Sequence, residues 1–146
     1  DPIRLPLDIN LINEPISPEE LENSVVIFDD VDTIQHPKIR LAVSNLRDWL
    51  LECGRHHNIR VLMTSHQLMN YKSTRLMLTE ATSVTFFVRS GSTYHIKRFL
   101  KSYCGLEKHQ IKKVLNLPTR SVTIYKNYPN YILYDKGVYL LTNNDE

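Results

Sequence analysis

The feature that most constrains this chain is an unbroken apolar run, Val25–Phe28, which ends abruptly in two acids, Asp29 and Asp30. Four apolar residues without polar alternation are typical of a buried strand that is covered on both faces, as in a parallel sheet. A second apolar run lies at 59–63, and the apolar residues of 37–53 recur at intervals of three and four, as on one face of a helix. This order of strand, long helix and strand predicts a right-handed parallel crossover.

The remaining patterns predict a mixed fold. Four of the seven prolines lie in the first 24 residues, so we expect a proline-rich, extended lead-in over 1–24, with a short helix starting at Pro18, and a domain over 25–146. The other expected elements are a short helix at 74–80, a strand at 84–88, helices at 93–103 and 107–117, and strands at 121–126, 131–134 and 138–141. The last three strands are rich in β-branched and aromatic residues, which predicts an antiparallel β-meander. The expected fold class is therefore α/β with a C-terminal meander.

The amino-acid composition, the net charge and the cysteines exclude several classes of protein. The 146 residues are 42% hydrophobic and 23% charged, which fits one compact domain and excludes a disordered chain. The net charge of +2 is far from that of a protein whose whole surface binds nucleic acid, so any such contact is local. Cys53 and Cys104 lack metal-ligand spacing, and we expect buried or half-buried thiols in a reducing compartment.

The sequence shows no targeting pattern. No apolar run reaches the roughly 18 residues that a membrane span needs, which predicts a soluble protein without a transmembrane segment. The first residue is Asp1, and the residues after it do not form a secretory signal. We therefore expect a chain that is not secreted, and that begins inside a longer polypeptide or after processing.

The paired acids carry the clearest chemical signal. A carboxylate at the end of a buried strand is well placed to bind Mg²⁺, and a second one beside it can orient water, as nucleotide hydrolysis requires. On this interpretation Asp29 lies in the Mg²⁺ shell and Asp30 polarises the attacking water. The alternative is that the two acids only begin a solvated loop.

A polar cluster after the second strand favours the first interpretation. Thr64, Ser65 and Gln67 follow the apolar run, and neighbouring parallel strands end at the same edge of a sheet. We expect Thr64 and Ser65 to join Asp29 in binding the nucleotide, and Gln67 to sense the γ-phosphate or its water. The alternative is that this cluster caps the next segment of the chain.

Together these segments resemble the FtsK/HerA superfamily of DNA-pumping ATPases, and above all the poxvirus-type genome-packaging ATPases of large DNA viruses and virophages. The resemblance extends from Ser24 over nearly the whole chain. The segments that carry it are 25–30, 54–55, 64–67, 74–75, 78–80, 103–106 and 120–129.

The resemblance implies a partial P-loop fold of the ASCE, RecA-like type, a parallel sheet with flanking helices that binds ATP and Mg²⁺. Asp29 would be the Walker B acid, Asp30 would stand where many relatives have Glu, and Gln67 would be the sensor. Arg55 or Arg75 would be the arginine finger that reaches a neighbour's γ-phosphate. The implied activity is translocation of double-stranded DNA by a ring of subunits during viral genome packaging, with capsid proteins as partners, in a cytoplasmic viral factory or the virion.

One required part of such a site is missing from the sequence. No Gly-x-x-x-x-Gly-Lys-Ser/Thr motif occurs, and the four glycines lie too far apart to form a phosphate-binding loop. The chain is therefore expected to be the C-terminal half of a motor whose loop lies upstream, or a remnant that has lost catalysis. In either case residues 1–146 alone should not turn over ATP.

The helical region 95–113 is distinctly basic, and such helices can contact phosphates without reading sequence, although most basic runs are solvated faces. The candidates for DNA contact are Lys97, Arg98, Lys101, Lys112 and Lys113.

Two other functions compete with the motor. A non-catalytic interaction domain would keep the fold and bind capsid or another protein through the tyrosine-rich meander, residues 125–139. A small nuclease would use Asp29, Asp30 and Asp32 around a metal, with Glu80 as the nearest further acid.

Overall fold

The computed structural model describes residues 2–66, 74–89 and 92–141. The chain divides into two compact units, residues 1–67 and 68–146, and each has a hydrophobic core of its own. The length and composition predicted one compact domain. Two units form because the strand after residue 80 joins the C-terminal meander, so that the second half of the chain closes around a separate core.

The first unit is a short parallel sheet with helices. Its helices are α1 (Asn10–Asn13) and α2 (Pro37–Cys53), with 3₁₀ turns at Pro18–Leu21, Val31–Thr33 and Gly54–His57. Its strands are β1 (Val25–Phe28) and β2 (Arg60–Met63), which pair in parallel. The predicted order of strand, long helix and strand, with the two strands parallel, is therefore confirmed.

The second unit combines an antiparallel sheet with three helices in its described part. The helices are α3 (Arg75–Glu80), α4 (Thr93–Ser102) and α5 (Lys108–Leu115). The strands are β3 (Ser83–Phe86), β4 (Val122–Tyr125), β5 (Tyr131–Tyr134) and β6 (Gly137–Leu140), in the order β3-β4-β5-β6. The predicted meander is confirmed, and the fold class is α/β.

The register of the parallel pair is set where the two strands begin. Asn23 and Asn58 both adopt left-handed backbone conformations, with φ of 57° and 52°, which asparagine tolerates better than most residues. The Asn58 Nδ2 atom donates to the Asn23 Oδ1 atom at 2.9 Å, and the Arg60 amide donates to the Ser24 carbonyl at 3.0 Å. These bonds align Val25 with Arg60, so both strands also end at the same level.

Only one face of the parallel sheet is buried. Phe28 belongs to a core that it shares with Val43 and Leu50 of α2, at positions spaced by seven on the helix. The opposite face is open, since Val25 is 60% exposed and Ile27 is 56% exposed. The prediction of a strand covered on both faces is wrong for the described structure, because helices pack on one side of the sheet alone.

The strand predicted at 84–88 forms at Ser83–Phe86 as β3, and it pairs antiparallel with β4. The lead-in is not extended throughout, because α1 forms where the Asn10 amide donates to the Asp8 carboxylate at 2.8 Å and Leu11 enters the core. The described residues form two parallel strands. A P-loop sheet with more parallel strands stays a prediction.

The core of the second unit follows from strand and helix periodicity. In β4 the side chains of Val122 and Ile124 are fully buried, and Ile132 of β5 is buried beside Ile124 in the register. Phe99 and Val114 close this core from α4 and α5. Alternate residues of a strand point to one face, so the pattern places the meander's apolar face against the helices.

The two thiols differ in their surroundings, and we expect them to differ in reactivity. Cys53 is half-buried, whereas Cys104 is buried and its pKa is raised to about 12, mainly by that burial, with Lys126 acting in the opposite direction. Only the thiolate reacts, and about 10⁻⁴ of a thiol with such a pKa is ionised at about pH 8.

Iodoacetamide should therefore alkylate Cys53 first in the native chain at about pH 8, as measured by peptide mass spectrometry over time. In denaturant both cysteines should react at similar rates, which is the control. Equal rates in the native protein would contradict the burial of Cys104.

Candidate functional site at the ends of the parallel strands

The parallel pairing brings two polar segments together. Asp29 follows β1 and Thr64 follows β2, and the ladder continues past the strands because the Thr64 amide donates to the Phe28 carbonyl at 3.0 Å. Residues from distant parts of the sequence therefore lie side by side at the carboxyl end of the sheet. In open α/β sheets this edge is where ligands bind.

The Thr64 hydroxyl ties the paired acids to the second strand. It donates to the Asp29 Oδ1 atom at 2.7 Å and accepts from the Asp30 amide at 3.0 Å. A hydroxyl has one hydrogen to donate and lone pairs to accept, so both bonds form at once. This arrangement orients the Asp29 carboxylate and fixes the backbone of Asp30.

Asp30 adopts a left-handed conformation, with φ of 52° and ψ of 33°. Its carbonyl accepts from the Thr33 amide at 3.1 Å and from the Thr33 hydroxyl at 2.8 Å. Left-handed backbone at a residue other than glycine is uncommon and is enriched at functional sites, where surrounding bonds maintain it. Here bonds on both sides of the residue hold it.

The Asp30 carboxylate has one oxygen shielded from solvent. This Oδ1 atom has no hydrogen-bond partner among the described residues. The His66 Nε2 atom lies 3.3 Å from it, within ion-pair distance for a protonated imidazole but without hydrogen-bond geometry. Buried polar atoms normally have a partner, so this oxygen is an exception. The rest of the Asp30 side chain is open to solvent, since the side chain as a whole is 46% exposed.

A third contact joins the same two segments, because the Ser65 hydroxyl donates to the Asp32 Oδ2 atom at 2.6 Å. We call the six residues that converge here the strand-end cluster: Asp29, Asp30, Asp32, Thr64, Ser65 and His66.

The oxygen donors of the strand-end cluster fit Mg²⁺ of the kind that accompanies a nucleotide. Such an ion is held by one or two carboxylates, with water and phosphate oxygens as its other ligands. Within the described ranges, no group of three or more His, Cys, Asp or Glu side chains is placed to hold a metal. The nuclease interpretation, which needs several converging acids, therefore has no support in the described residues.

The other predicted residues lie elsewhere. Gln67 is outside the described residues. Arg55 is exposed in the 3₁₀ turn before β2, at the opposite end of the strand from Thr64. Arg75 is exposed at the start of α3 in the second unit.

The predicted DNA-contact residues lie on two helices of the second unit, α4 and α5. On α4 the buried positions Ile96, Phe99 and Leu100 leave a basic outer face. On α5 the Lys113 Nζ atom lies 3.2 Å from the Tyr139 hydroxyl and 5.8 Å from the centre of its ring, on β6. The exposed predicted DNA-contact residues are Lys97, Arg98, Lys101, Lys112 and Lys113.

Lys126 has a defined position that sequence reasoning missed. Its ammonium group donates to the carbonyls of Leu78 and Thr79 near the end of α3, and burial lowers its pKa. The signal was present in the alternation of β4, since Val122 and Ile124 are buried and Lys126 has the same parity. A lysine that continues a buried face indicates a structural or binding role.

Comparison with known proteins gives one informative relative. The chain is 41% identical over 137 residues to a protein of Sputnik virophage named "Uncharacterized protein V3", and the match covers 92% of this chain and 55% of that protein. The chain therefore spans about half the length of this relative. No protein-family model matches the chain, and no solved structure gives a significant match.

Among the described residues, no helix has the length and apolar character that crossing a bilayer requires.

Proposed function

We propose that this chain is the C-terminal portion of an ATPase that drives double-stranded DNA during viral genome packaging. The observation that carries the proposal is the bond pattern of Thr64, whose hydroxyl orients Asp29 and the backbone of Asp30 at the carboxyl end of two parallel strands. A rigid pair of acids at this edge suits hydrolysis of a nucleotide better than a solvated loop does, because preorganised groups need no reorganisation during reaction.

The roles of the acids follow from their surroundings. Asp29 would hold Mg²⁺, with Thr64 keeping its carboxylate in place. Bound Mg²⁺ neutralises charge on the β- and γ-phosphates. The Asp30 side chain is 46% exposed, and the carboxylate oxygen that faces solvent would accept a hydrogen bond from the attacking water and orient it.

The phosphates themselves must be bound by residues outside this sequence. The 146 residues contain no phosphate-binding loop, and about 45% of the virophage relative lies outside the match. A longer polypeptide thus has room for such a loop. The viral source of the relative supports a viral role, and we place the proposed motor in a viral factory or the virion, next to capsid proteins.

The same proposal assigns roles to the basic residues. The exposed face of α4, with Lys97 and Lys101, would contact DNA phosphates independently of base sequence. Arg55 lies at the amino end of β2, away from the strand-end cluster. A finger in that position would serve the nucleotide of a neighbouring subunit, which is the reason to propose a ring.

ATP hydrolysis by a polypeptide that joins this chain to its upstream sequence tests the proposal. We expect magnesium-dependent phosphate release that double-stranded DNA stimulates, and no release by residues 1–146 alone, because the phosphate-binding amides and lysine are absent from them. The measurement is a coupled phosphate-release assay with and without a DNA duplex. Robust hydrolysis by residues 1–146, or none by any longer form, would overturn the assignment.

A second candidate function has its own observation. The meander exposes apolar and aromatic side chains, with Tyr128 98% exposed in the β4–β5 turn and Val138 and Leu140 exposed on β6. Such a surface suits a non-catalytic domain that binds capsid or another protein. This candidate predicts binding to a partner protein and no ATP hydrolysis in any longer form, so the same assay separates the two functions.

A further inference from the structure

A basic pocket lies within the second unit, formed by α3, α4 and the end of β4. Its volume is about 440 Å³. Its lining residues, which define the basic pocket from here on, are Arg75, Thr79, Arg98, Ser102, Tyr103 and Lys126. Three of these residues are basic, Arg75, Arg98 and Lys126, and none has a carboxylate, a composition that suits an anionic ligand.

The side chain of Lys126 is held in a fixed position at the pocket. Its ammonium group is anchored by the carbonyls of Leu78 and Thr79, which uses two of its three donors. Glu80 interacts with it electrostatically but does not line the pocket. The two hydrogen bonds hold the ammonium group of Lys126 in place at the pocket before any ligand arrives.

The two arginines line the basic pocket and are exposed to solvent. Arg75 begins α3 and Arg98 lies on the exposed face of α4. Within the described ranges, no acidic side chain forms an ion pair with Arg75. Guanidinium groups bind phosphate oxygens through two parallel hydrogen bonds, and such charge-assisted bonds are stronger than neutral ones.

Three residues with hydroxyl side chains also line the basic pocket: Thr79, Ser102 and Tyr103. The Thr79 hydroxyl donates to the Arg75 carbonyl at 2.9 Å, which ties this side chain to the first turn of α3. Ser102 and Tyr103 line the basic pocket from the end of α4. Cations held close together repel one another, and an anion that bridges them removes this repulsion.

We propose that the basic pocket binds a phosphate group. Arg75 and Arg98 would donate hydrogen bonds to its oxygens, and the ammonium group of Lys126 would attract it electrostatically. The site lies in the second unit and uses no residue of the strand-end cluster, so it goes beyond the proposed hydrolytic function. The phosphate can belong to a nucleic-acid backbone or to a free phosphate compound. The basic face of α4 continues from the pocket through Lys97 and Lys101.

Titration of residues 1–146 with inorganic phosphate and pyrophosphate, followed by amide NMR shifts at constant ionic strength, tests the site. We expect shifts centred on α3, α4 and residue 126. Arg75→Gln and Arg98→Gln should each weaken binding by about tenfold. Arg98→Lys, which keeps the charge but loses the planar fork, should have an intermediate effect.

Lys136→Gln is the matched control, since it removes one positive charge from an exposed turn of the same unit. It should weaken binding by less than about twofold, because exposed charges at a distance are screened by salt. Equal losses for Lys136→Gln and the two arginine variants, or the absence of shifts around the pocket, would overturn the proposal. Thermal unfolding followed by circular dichroism verifies that each variant is folded.

Fluorescence anisotropy with a short DNA duplex identifies the source of the phosphate. If the ligand is a nucleic-acid backbone, both arginine substitutions should weaken duplex binding more than Lys136→Gln does, and pyrophosphate should compete. If pyrophosphate binds and the two arginine substitutions leave duplex binding unchanged, the ligand is a free phosphate compound. Failure of this experiment leaves the ATPase assay unaffected, because that assay depends on Asp29 and Asp30.

Discussion

Asp30→Asn is expected to lower ATP turnover by about 10²–10⁴-fold in a polypeptide that joins this chain to a phosphate-binding loop. The amide keeps the size of the side chain but loses the negative charge that orients water and accepts its proton. The backbone of Asp30 should be unchanged, because its amide still donates to the Thr64 hydroxyl. Nucleotide binding, measured with a fluorescent ATP analogue, should therefore remain within a factor of about two.

Asp135→Asn provides the matched control for this prediction. It makes the same chemical change at an exposed residue of the β5–β6 turn, and it should leave turnover unaltered. Two results would count against the role of Asp30. The first is turnover close to the wild-type value in folded Asp30→Asn protein, and the second is an equal loss in Asp135→Asn protein.

Phe99→Ala is expected to reduce the free energy of unfolding by about 3–5 kcal/mol, which is the usual cost of removing a fully buried aromatic side chain. Phe99 is 0% exposed. Its ring meets Phe86 of β3 edge-on at 6.1 Å between centres and stacks on Tyr103 at 6.2 Å. The substitution would leave a cavity between α4 and the antiparallel sheet, and the loss is a large share of the stability of a small protein.

Denaturant unfolding followed by circular dichroism measures this loss. Tyr94→Ala is the control, because it removes an aromatic side chain from the same helix at an exposed position. We expect its cost to stay within about 1 kcal/mol. A cost below about 1 kcal/mol for Phe99→Ala would show that α4 does not close the core as described.

Periodicity was a reliable guide wherever a segment's own residues decide its structure. The intervals of three and four predicted α2, and the structure has it at Pro37–Cys53. The abrupt change from apolar residues to Asp29 located the end of β1 to the residue. The proline-rich start concealed α1, since four residues with only Leu11 buried leave almost no periodic signal.

The basic pocket shows what pattern alone leaves out. Arg75 and Arg98 were separate candidates, one for a finger and the other for DNA contact, and nothing in their spacing linked them to Lys126. All three line one pocket, and the pairing of β3 with β4 is the long-range contact that brings their segments together. Pairing between strands that lie about 40 residues apart is a non-local choice, which local propensity does not determine.

By itself the sequence determined the strands, the long helix and the acids at the end of β1, because helix and strand periodicity and the position of polar residues are properties of short segments. The tertiary structure decided which strands share a sheet, which face of β1 stays open and how Thr64 reaches Asp29 across 35 positions. Those outcomes depend on burying apolar area and satisfying hydrogen bonds between distant segments at the same time. The residue types of the strand-end cluster, and so its chemistry, were therefore known from the sequence. Its geometry depends on the pairing of β1 with β2.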